Sequence, residues 1–98
     1  MFDWDEANIA HIAEHDVLPK EAEEVVLNNP LDLEEQDRNG ESRLMQLGET
    51  ANKRLLVVVT TPRGSKIRVV TAFAANRAYR EFYAAHKTRE DHGEKNSS

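Results

Sequence analysis

The stretch "RLLVVVTTPRGSKIRVVTAF", residues 54–73, decides the fold of this chain. Its first part, "RLLVVVTT", is a run of β-branched and other apolar residues, long enough for a central strand covered on both faces. "PRGS" is typical of a turn and "KIRVVTAF" of a second strand, so the two runs are predicted to form an antiparallel hairpin. Because side chains alternate along a strand, the second strand is predicted to have two faces. One carries Ile67, Val69 and Thr71, and the other carries Arg68, Val70 and Ala72.

Two helices are predicted before the hairpin. The first is capped by Asp5 and runs to about His15, and its apolar stripe consists of Ile9, Ile12 and Ala13. The second begins at Pro19, which suits the first helical position, and is stopped by Asn29 and Pro30. The residues expected on its buried stripe are Ala22, Val25 and Val26.

Two further strands and a last helix complete the fold. "LDLEEQ", residues 31–36, alternates weakly and is predicted as an edge strand, and "SRLMQLG", residues 42–48, as a second strand. "ANRAYREFYAAHK", residues 75–87, is predicted as a helix capped by Asn76, with a stripe of Ala78, Tyr79, Phe82 and Tyr83. We therefore expect one α+β domain over residues 1–87: two N-terminal helices, an antiparallel sheet of three to four strands and a C-terminal helix packed on the sheet. Residues 88–98 are polar and are predicted to be a disordered tail.

The net charge of −5 hides an asymmetry between the two halves. Residues 1–49 contain 14 Asp and Glu against 3 Lys and Arg, whereas residues 50–98 contain 4 against 10. The basic half could meet phosphate, or the two halves could simply form solvated faces of opposite sign. The chain has no cysteine, which excludes disulfides and cysteine chemistry. Its acidic start is unlike a signal peptide and no apolar stretch is long enough to span a membrane, so a cytoplasmic location without membrane contact is expected.

"HIAEH", residues 11–15, has the H-x-x-E-H pattern of inverted zinc peptidases. His11 and His15 are one helical turn apart and could bind a metal, with Glu14 as a base. A catalytic zinc ion needs a third protein ligand, and the remaining histidines are His86 and His92, near the end of the chain. We therefore expect no metal site and no other cofactor.

Several motifs follow one another in a recognisable order. "FDWDEANIAHIAEHDVLPKEAEEVV" spans residues 2–26, followed by "GESR" at 40–43, "RLLVVVTT" at 54–61 and "KIRVVTAFAANRAYREFY" at 66–83. In this order the motifs resemble the BrnT family, the ribonuclease toxins of type II toxin–antitoxin systems. The positions that fit the opening motif are Phe2, Trp4, Asp5, His15, Val17, Glu21, Ala22 and Val25. The resemblance implies a compact RelE-like architecture and metal-independent cleavage of RNA.

Four residues depart from the family pattern. Glu14 stands where the family has Lys or Arg, Asp16 where it has Gly, Phe73 where it has Arg, and Tyr79 where it has Glu. The net charge is also acidic, whereas toxins that cut RNA are commonly basic. These departures leave open an alternative function, a catalytically degenerate protein of the BrnT fold that acts as a protein-interaction module.

A ribonuclease without a metal must deprotonate a 2′-hydroxyl, stabilise negative charge on the phosphate and protonate the leaving 5′-oxygen. Histidine suits the proton transfers, arginine holds phosphate oxygens in a planar fork, and an aromatic ring can stack on an unpaired base. The candidates for these roles, at positions that match polar residues of the family, are His15, Arg43, Arg68, Arg77, Arg80 and Tyr83.

Each candidate also has a purely structural explanation. The histidine could interact with the carbonyl groups that end its helix. The two strand arginines could pair across the sheet with Glu34, Glu35 or Glu41, and the two helix arginines could be solvated. The tyrosine is expected in the core, and Trp4 is expected to anchor the first helix by packing.

The resemblance also implies the partners. They are an RNA substrate and a ribbon-helix-helix antitoxin that covers the active face of the toxin. No direct DNA binding by this chain is expected, and the sequence leaves both a monomer and a homodimer open. The edge strand "LDLEEQ" is one place where a partner strand could add to the sheet.

Overall fold

The computed structural model describes the backbone of residues 1–97 and the side chains of residues 1–87. Its elements are α1 (Glu6–Ala13), α2 (Pro19–Leu27), β1 (Leu31–Arg38), β2 (Glu41–Glu49), β3 (Leu55–Arg63), β4 (Lys66–Ala74) and α3 (Arg77–Ser97). The predicted α+β class and order of elements are confirmed. The tail predicted for residues 88–98 lies outside the residues whose side chains are described and stays a prediction. Within residues 1–97 the structure contains no helix of the length and apolarity that a membrane span requires.

A single antiparallel sheet in the order β1-β2-β3-β4 carries a hydrophobic cluster on each face. Successive residues of β3 point to opposite faces, so Leu56 and Val58 lie in one cluster and Val57 in the other. The first cluster joins the sheet to α1 and α2 and consists of Ile12, Val17, Ala22, Val25, Leu56, Val58, Val69 and Ala72. The second joins it to α3, whose Tyr79 and Tyr83 pack against Leu47, Val57 and Ala75. This confirms that the run of valines forms a central strand covered on both faces.

The β4 strand contains a bulge that changes which side chains share a face. Val59 of β3 pairs with Thr71, but its neighbour Thr60 pairs with Val69, so Val70 is an extra residue. Val69 and Ala72 therefore lie in the same core cluster. The predicted alternation, which put these two side chains on opposite faces, is wrong because it assumed an unbroken ladder. Beyond the bulge, it is Thr71 that shares a face with Arg68.

The α1 helix buries a polar residue that the sequence did not mark. Asn8 and Ile12, four residues apart, are its two buried residues, while Ile9 is 40% exposed and Ala13 is exposed. The predicted stripe is therefore correct only for Ile12. The reason is a buried hydrogen bond of 2.7 Å, in which the side-chain amide of Asn8 donates to the carbonyl oxygen of Val69 on β4. This bond turns the Asn8 side of the helix toward the sheet.

The α2 helix begins and ends as predicted, and it approaches β2 closely. Ala22 and Val25 are buried, and Val26 is half-buried. At the closest approach, a Cβ atom at Gly48 would lie 3.1 Å from Cβ of Pro30 and 3.2 Å from Cγ1 of Val25. A glycine in β2 therefore lets this helix and the segment that follows it pack directly on the strand.

The α3 helix crosses only part of its face of the sheet. The side chain of Asn76 caps it by accepting a hydrogen bond of 2.9 Å from the backbone N–H of Tyr79. Tyr79 and Tyr83 are half-buried as predicted, but Phe82 is 41% exposed and stacks on His86 with ring centroids 4.2 Å apart. The predicted stripe is thus wrong at Phe82 and at Ala78, which is exposed as well, because both positions lie at the margin of the contact between helix and sheet.

Candidate functional site

Three arginines line one depression on the sheet face that α3 covers only in part. Arg43 comes from β2, Arg63 from the end of β3 and Arg68 from β4, and the depression has a volume of about 330 Å³. Strand alternation explains how they meet, because residues two apart on a strand face the same side of the sheet. On β3, Val59 and Thr61 share one face, and Thr61 pairs with Arg68 of β4. Val59 also pairs with Met45 of β2, so Arg43, two residues from Met45, faces the same side as Arg68. We call Arg43, Arg63 and Arg68 the arginine cluster.

His11 lines the same depression from the side of α1. Its ring centroid lies 5.8 Å from that of His15, in an edge-to-face arrangement. His11 and Arg63 were not among the site residues predicted from the sequence. The spacing in "HIAEH" was a usable signal for His11, because residues four apart lie on the same side of a helix. Arg63 became a neighbour only through the pairing of β3 with β4.

His15 is exposed and lies in the turn that follows α1, which ends at Ala13 rather than at His15 as predicted. Its backbone N–H donates to the carbonyl oxygen of Ile12 at 3.0 Å. Its ring makes an edge-to-face contact with Phe73, with centroids 6.2 Å apart. Phe73 pairs with Val57, four residues along β3 from the partner of Arg68. His11, which lines the depression, is therefore the imidazole nearer to the arginine cluster, and His15 adjoins it on the side away from the depression's lining.

Each arginine of the cluster is close to a carboxylate. Nη2 of Arg68 is 2.7 Å from Oδ2 of Asp5, and its Nη1 is 3.6 Å from Oδ2 of Asp3. Nε of Arg63 is 4.0 Å from the same oxygen of Asp3. Nε of Arg43 lies 3.7 Å from Oε1 of Glu41. The three positive charges are thus matched by three negative charges, which lowers the attraction of the cluster for a distant anion.

The prediction that Arg43 and Arg68 pair with glutamate across the sheet is wrong for both. Arg43 does lie close to Glu41, but Glu41 belongs to the same strand, β2. Arg68 pairs instead with Asp5 and Asp3, because the chain before α1 runs along the free edge of β4. The N–H of Asp3 donates to the carbonyl oxygen of Ile67, and the N–H of Ile67 donates to that of Met1, both at 2.8 Å. This edge pairing brings the carboxylates of Asp3 and Asp5 beside Arg68. Strand alternation cannot predict such a contact, because the two segments are far apart in the sequence.

Asp5 has two roles, because it both caps α1 and binds Arg68. Its Oδ1 accepts a hydrogen bond of 2.8 Å from the backbone N–H of Asn8. This bond, followed by the hydrogen bond from Arg68, lowers the pKa of the Asp5 carboxyl below its usual range. The hydrogen bond to Asp5 in turn raises the pKa of Arg68 above its usual range. Both groups are thereby held in their charged forms.

The lowered pKa predicts how stability depends on pH. A carboxyl whose pKa is lower in the folded than in the unfolded chain stabilises the fold above its unfolded pKa of about 4, and that contribution is lost as the pH falls through the folded pKa. We expect the difference in Tm between the native protein and Asp5→Asn to shrink as the pH is lowered from 6 to about 2. Thermal melts across this range, with Glu6→Gln as the matched control, test this. A Tm difference that does not change with pH would contradict it.

The remaining predicted site residues lie elsewhere on the molecule. Arg77 forms an exposed pair with Glu81 at 3.1 Å, and Arg80 donates to the carbonyl oxygen of Ala75, next to the start of β3. The hydroxyl of Tyr83 donates to Glu49 at the end of β2. Glu49 and Arg43 are six residues apart on one strand, a distance of about 20 Å. The structure therefore brings Arg43 and Arg68 together and does not bring these three residues to them.

The structure shows what surrounds the four residues that depart from the expected pattern. Asp16 has φ of 57°, a left-handed conformation that Gly adopts freely and Asp tolerates. Glu14 is exposed, with Oε2 3.7 Å from Nδ1 of His11. Phe73 and Tyr79 pack against the cluster under α3. Phe73 thus places an apolar ring beside His15 where a cation was expected.

The sequence of the chain matches the model of one known family. Residues 4–78 match the family described as "Ribonuclease toxin, BrnT, of type II toxin-antitoxin system". Comparison with curated proteins returns no significant match. Among the described side chains, no group of three His, Cys, Asp or Glu residues is arranged to hold a metal ion. The family match covers most of the chain and includes α1, α2 and all four strands. The chain therefore belongs to the BrnT family of ribonuclease toxins of type II toxin–antitoxin systems.

Proposed function

We propose that the protein is a metal-independent endoribonuclease toxin of the cytoplasm whose RNA contacts the arginine cluster and the neighbouring histidines. The observation that carries the proposal is the depression lined by Arg43, Arg63, Arg68 and His11. In the described part of the chain, Nε of Arg43 is buried and makes no hydrogen bond, so this guanidinium is not fully satisfied by the chain's own groups. Guanidinium groups in this arrangement suit a phosphodiester, whose oxygens accept hydrogen bonds from a planar fork.

The proposed reaction needs only a base, an acid and a positive site. The 2′-oxygen of the ribose attacks phosphorus as its proton passes to a neutral imidazole, and the bond from phosphorus to the 5′-oxygen breaks. A protonated acid then supplies the proton that the 5′-oxygen takes up. Arg43 and Arg68 stabilise the negative charge on the phosphate oxygens. His11 and His15, with ring centroids 5.8 Å apart, are the pair from which the base and acid are drawn.

A cleavage assay with an excess of chelator tests this proposal. The purified protein is expected to cut single-stranded RNA equally well with and without EDTA. His11→Ala and His15→Ala are each expected to slow cleavage by about 100-fold, the usual size of a general acid–base contribution. His86→Ala, on α3, is the matched control and is expected to retain the native rate. RNA left intact by the folded protein, freed of any partner, would refute the proposal.

The second candidate function is that of a binding module without catalysis. It is favoured by the balance of charge, since Asp3, Asp5 and Glu41 lie against the arginine cluster, and by the phenylalanine beside His15. Under this function the arginine changes would weaken binding of a protein partner and leave RNA untouched. Expression of the chain alone would then not slow cell growth.

The proposed partner is a ribbon-helix-helix antitoxin that covers the depression. The membership of a type II toxin family supports a protein antitoxin, and the depression lined by the arginine cluster supports the place where it binds. A short reading frame for a ribbon-helix-helix protein beside this gene is the expected genetic sign. Binding of its product should block RNA cleavage.

A further inference from the structure

The most deeply placed arginine of the cluster is already occupied by carboxylates of its own chain. The side chain of Arg68 is 20% exposed, whereas its partners Asp3 and Asp5 are 34% and 51% exposed. The two acids are thus more exposed than the arginine side chain that they contact. An anion that binds Arg68 has to share its Nη1 and Nη2 groups with these carboxylates or displace them.

We propose that Asp3 and Asp5 are affinity-determining residues that compete with the phosphate of bound RNA for Arg68. This inference rests on the proposed function, because it takes the arginine cluster as the phosphate site. A carboxylate and a phosphodiester both accept hydrogen bonds from the same face of a guanidinium. Binding of RNA at Arg68 therefore requires that the carboxylates give up their contacts, and affinity is reduced by that cost.

The competing carboxylates are held in place by the backbone. Asp3 is anchored by its own N–H, which donates to Ile67, the residue that precedes Arg68 on β4. Asp5 is anchored as the cap of α1, through its bond to the N–H of Asn8. Because the backbone of Asp3 and the side chain of Asp5 are already ordered, the pairs with Arg68 form at a reduced entropic cost. They are thus stronger competitors than acids on mobile side chains of the surface.

Asparagine substitutions remove the competing charge and retain the fold. Asn is as good a helix cap as Asp, so Asp5→Asn keeps the bond to the backbone of Asn8. Asp3→Asn does not touch the cap and provides an independent variant should the first fail to fold. Glu6→Gln is the matched control, since it removes the same charge from the adjacent first turn of α1, where no ion pair to Arg68 is formed.

The test is binding of a single-stranded 2′-O-methyl RNA oligonucleotide, which cannot be cut because its 2′-oxygen carries no proton. We expect the affinity to rise about fivefold or more in Asp5→Asn and further in the double variant with Asp3→Asn. Glu6→Gln is expected to change it less than twofold. We also expect log Kd to depend more steeply on log salt in the double variant, with the slope larger by about 0.7, because one more phosphate contact is formed.

Three results would overturn the inference. Asp5→Asn and Asp3→Asn could both bind no more tightly than Glu6→Gln, or they could bind more weakly, as expected if the acids hold Arg68 in its binding position. The third result is that none of the proteins binds the oligonucleotide. Tighter binding without cleavage of unmodified RNA would support the inference and refute the ribonuclease. Cleavage that depends on Arg68, without tighter binding in the variants, would support the ribonuclease and refute the inference.

Discussion

Arg68→Ala is expected to reduce the rate of RNA cleavage by about 100- to 1,000-fold, the usual cost of removing one group that stabilises charge in a transition state. Arg68 lies in the depression with Arg43, Arg63 and His11. Its side chain is less exposed than those of the other two arginines. A guanidinium at this depth loses less of its interaction to solvent screening than one at the rim. Single-turnover cleavage of a defined RNA measures the effect directly.

The effect of Arg68→Ala on catalysis must be distinguished from an effect on folding, because Arg68 also binds Asp5 and Asp3. Arg68→Lys retains the charge but not the planar fork, so it is expected to restore stability while cleavage stays well below the native rate. Lys20→Ala removes one positive charge from α2 and should cut RNA normally. If Arg68→Ala cleaves within threefold of the native rate while it is folded, the arginine cluster is not the phosphate site.

The sheet could be predicted from the sequence because its signals are local. The valine-rich run is both apolar and β-branched, and the glycine of "PRGS" marks the turn. Asp5, Pro19 and Asn76 are helix signals of the same local kind, and each begins a helix in the structure. What failed was the face assignment around Val70, because a bulge is a property of two paired strands rather than of one.

The candidate site was only partly predictable, for a related reason. Arg43 and Arg68 follow from strand alternation together with the family resemblance, and the structure places them in one depression. The ion pairs of Arg68 depend on a segment more than sixty residues earlier, which reaches it through pairing at the edge of β4. The helix residues Arg77 and Arg80 matched the family in order along the chain. Order alone does not give distance, and the start of α3 lies at the opposite end of the strands.

Leu56→Ala is expected to lower the free energy of unfolding by roughly 2–5 kcal/mol, the usual cost of removing a fully buried leucine side chain. Leu56 is fully buried in β3, in the cluster that joins the sheet to α1 and α2. A domain of this size has only about 5–15 kcal/mol of stability in total. The change therefore lowers Tm by about 8 to 40 °C, since each kcal/mol corresponds to about 4–8 °C in a domain of 60–100 residues.

The size of this effect tests whether α1 and α2 are packed on the sheet. Leu27→Ala is the matched control, because the same side chain on α2 is 62% exposed and should cost less than about 0.5 kcal/mol. Denaturant unfolding of both variants gives the comparison. A Leu56→Ala cost as small as that of Leu27→Ala would mean that the two helices are not docked as described. The site depends on that docking, since α1 carries His11 and its cap Asp5 holds Arg68. A loosened α1 would separate the imidazole from the arginine cluster, so Leu56→Ala should lose RNA cleavage at temperatures below its own Tm.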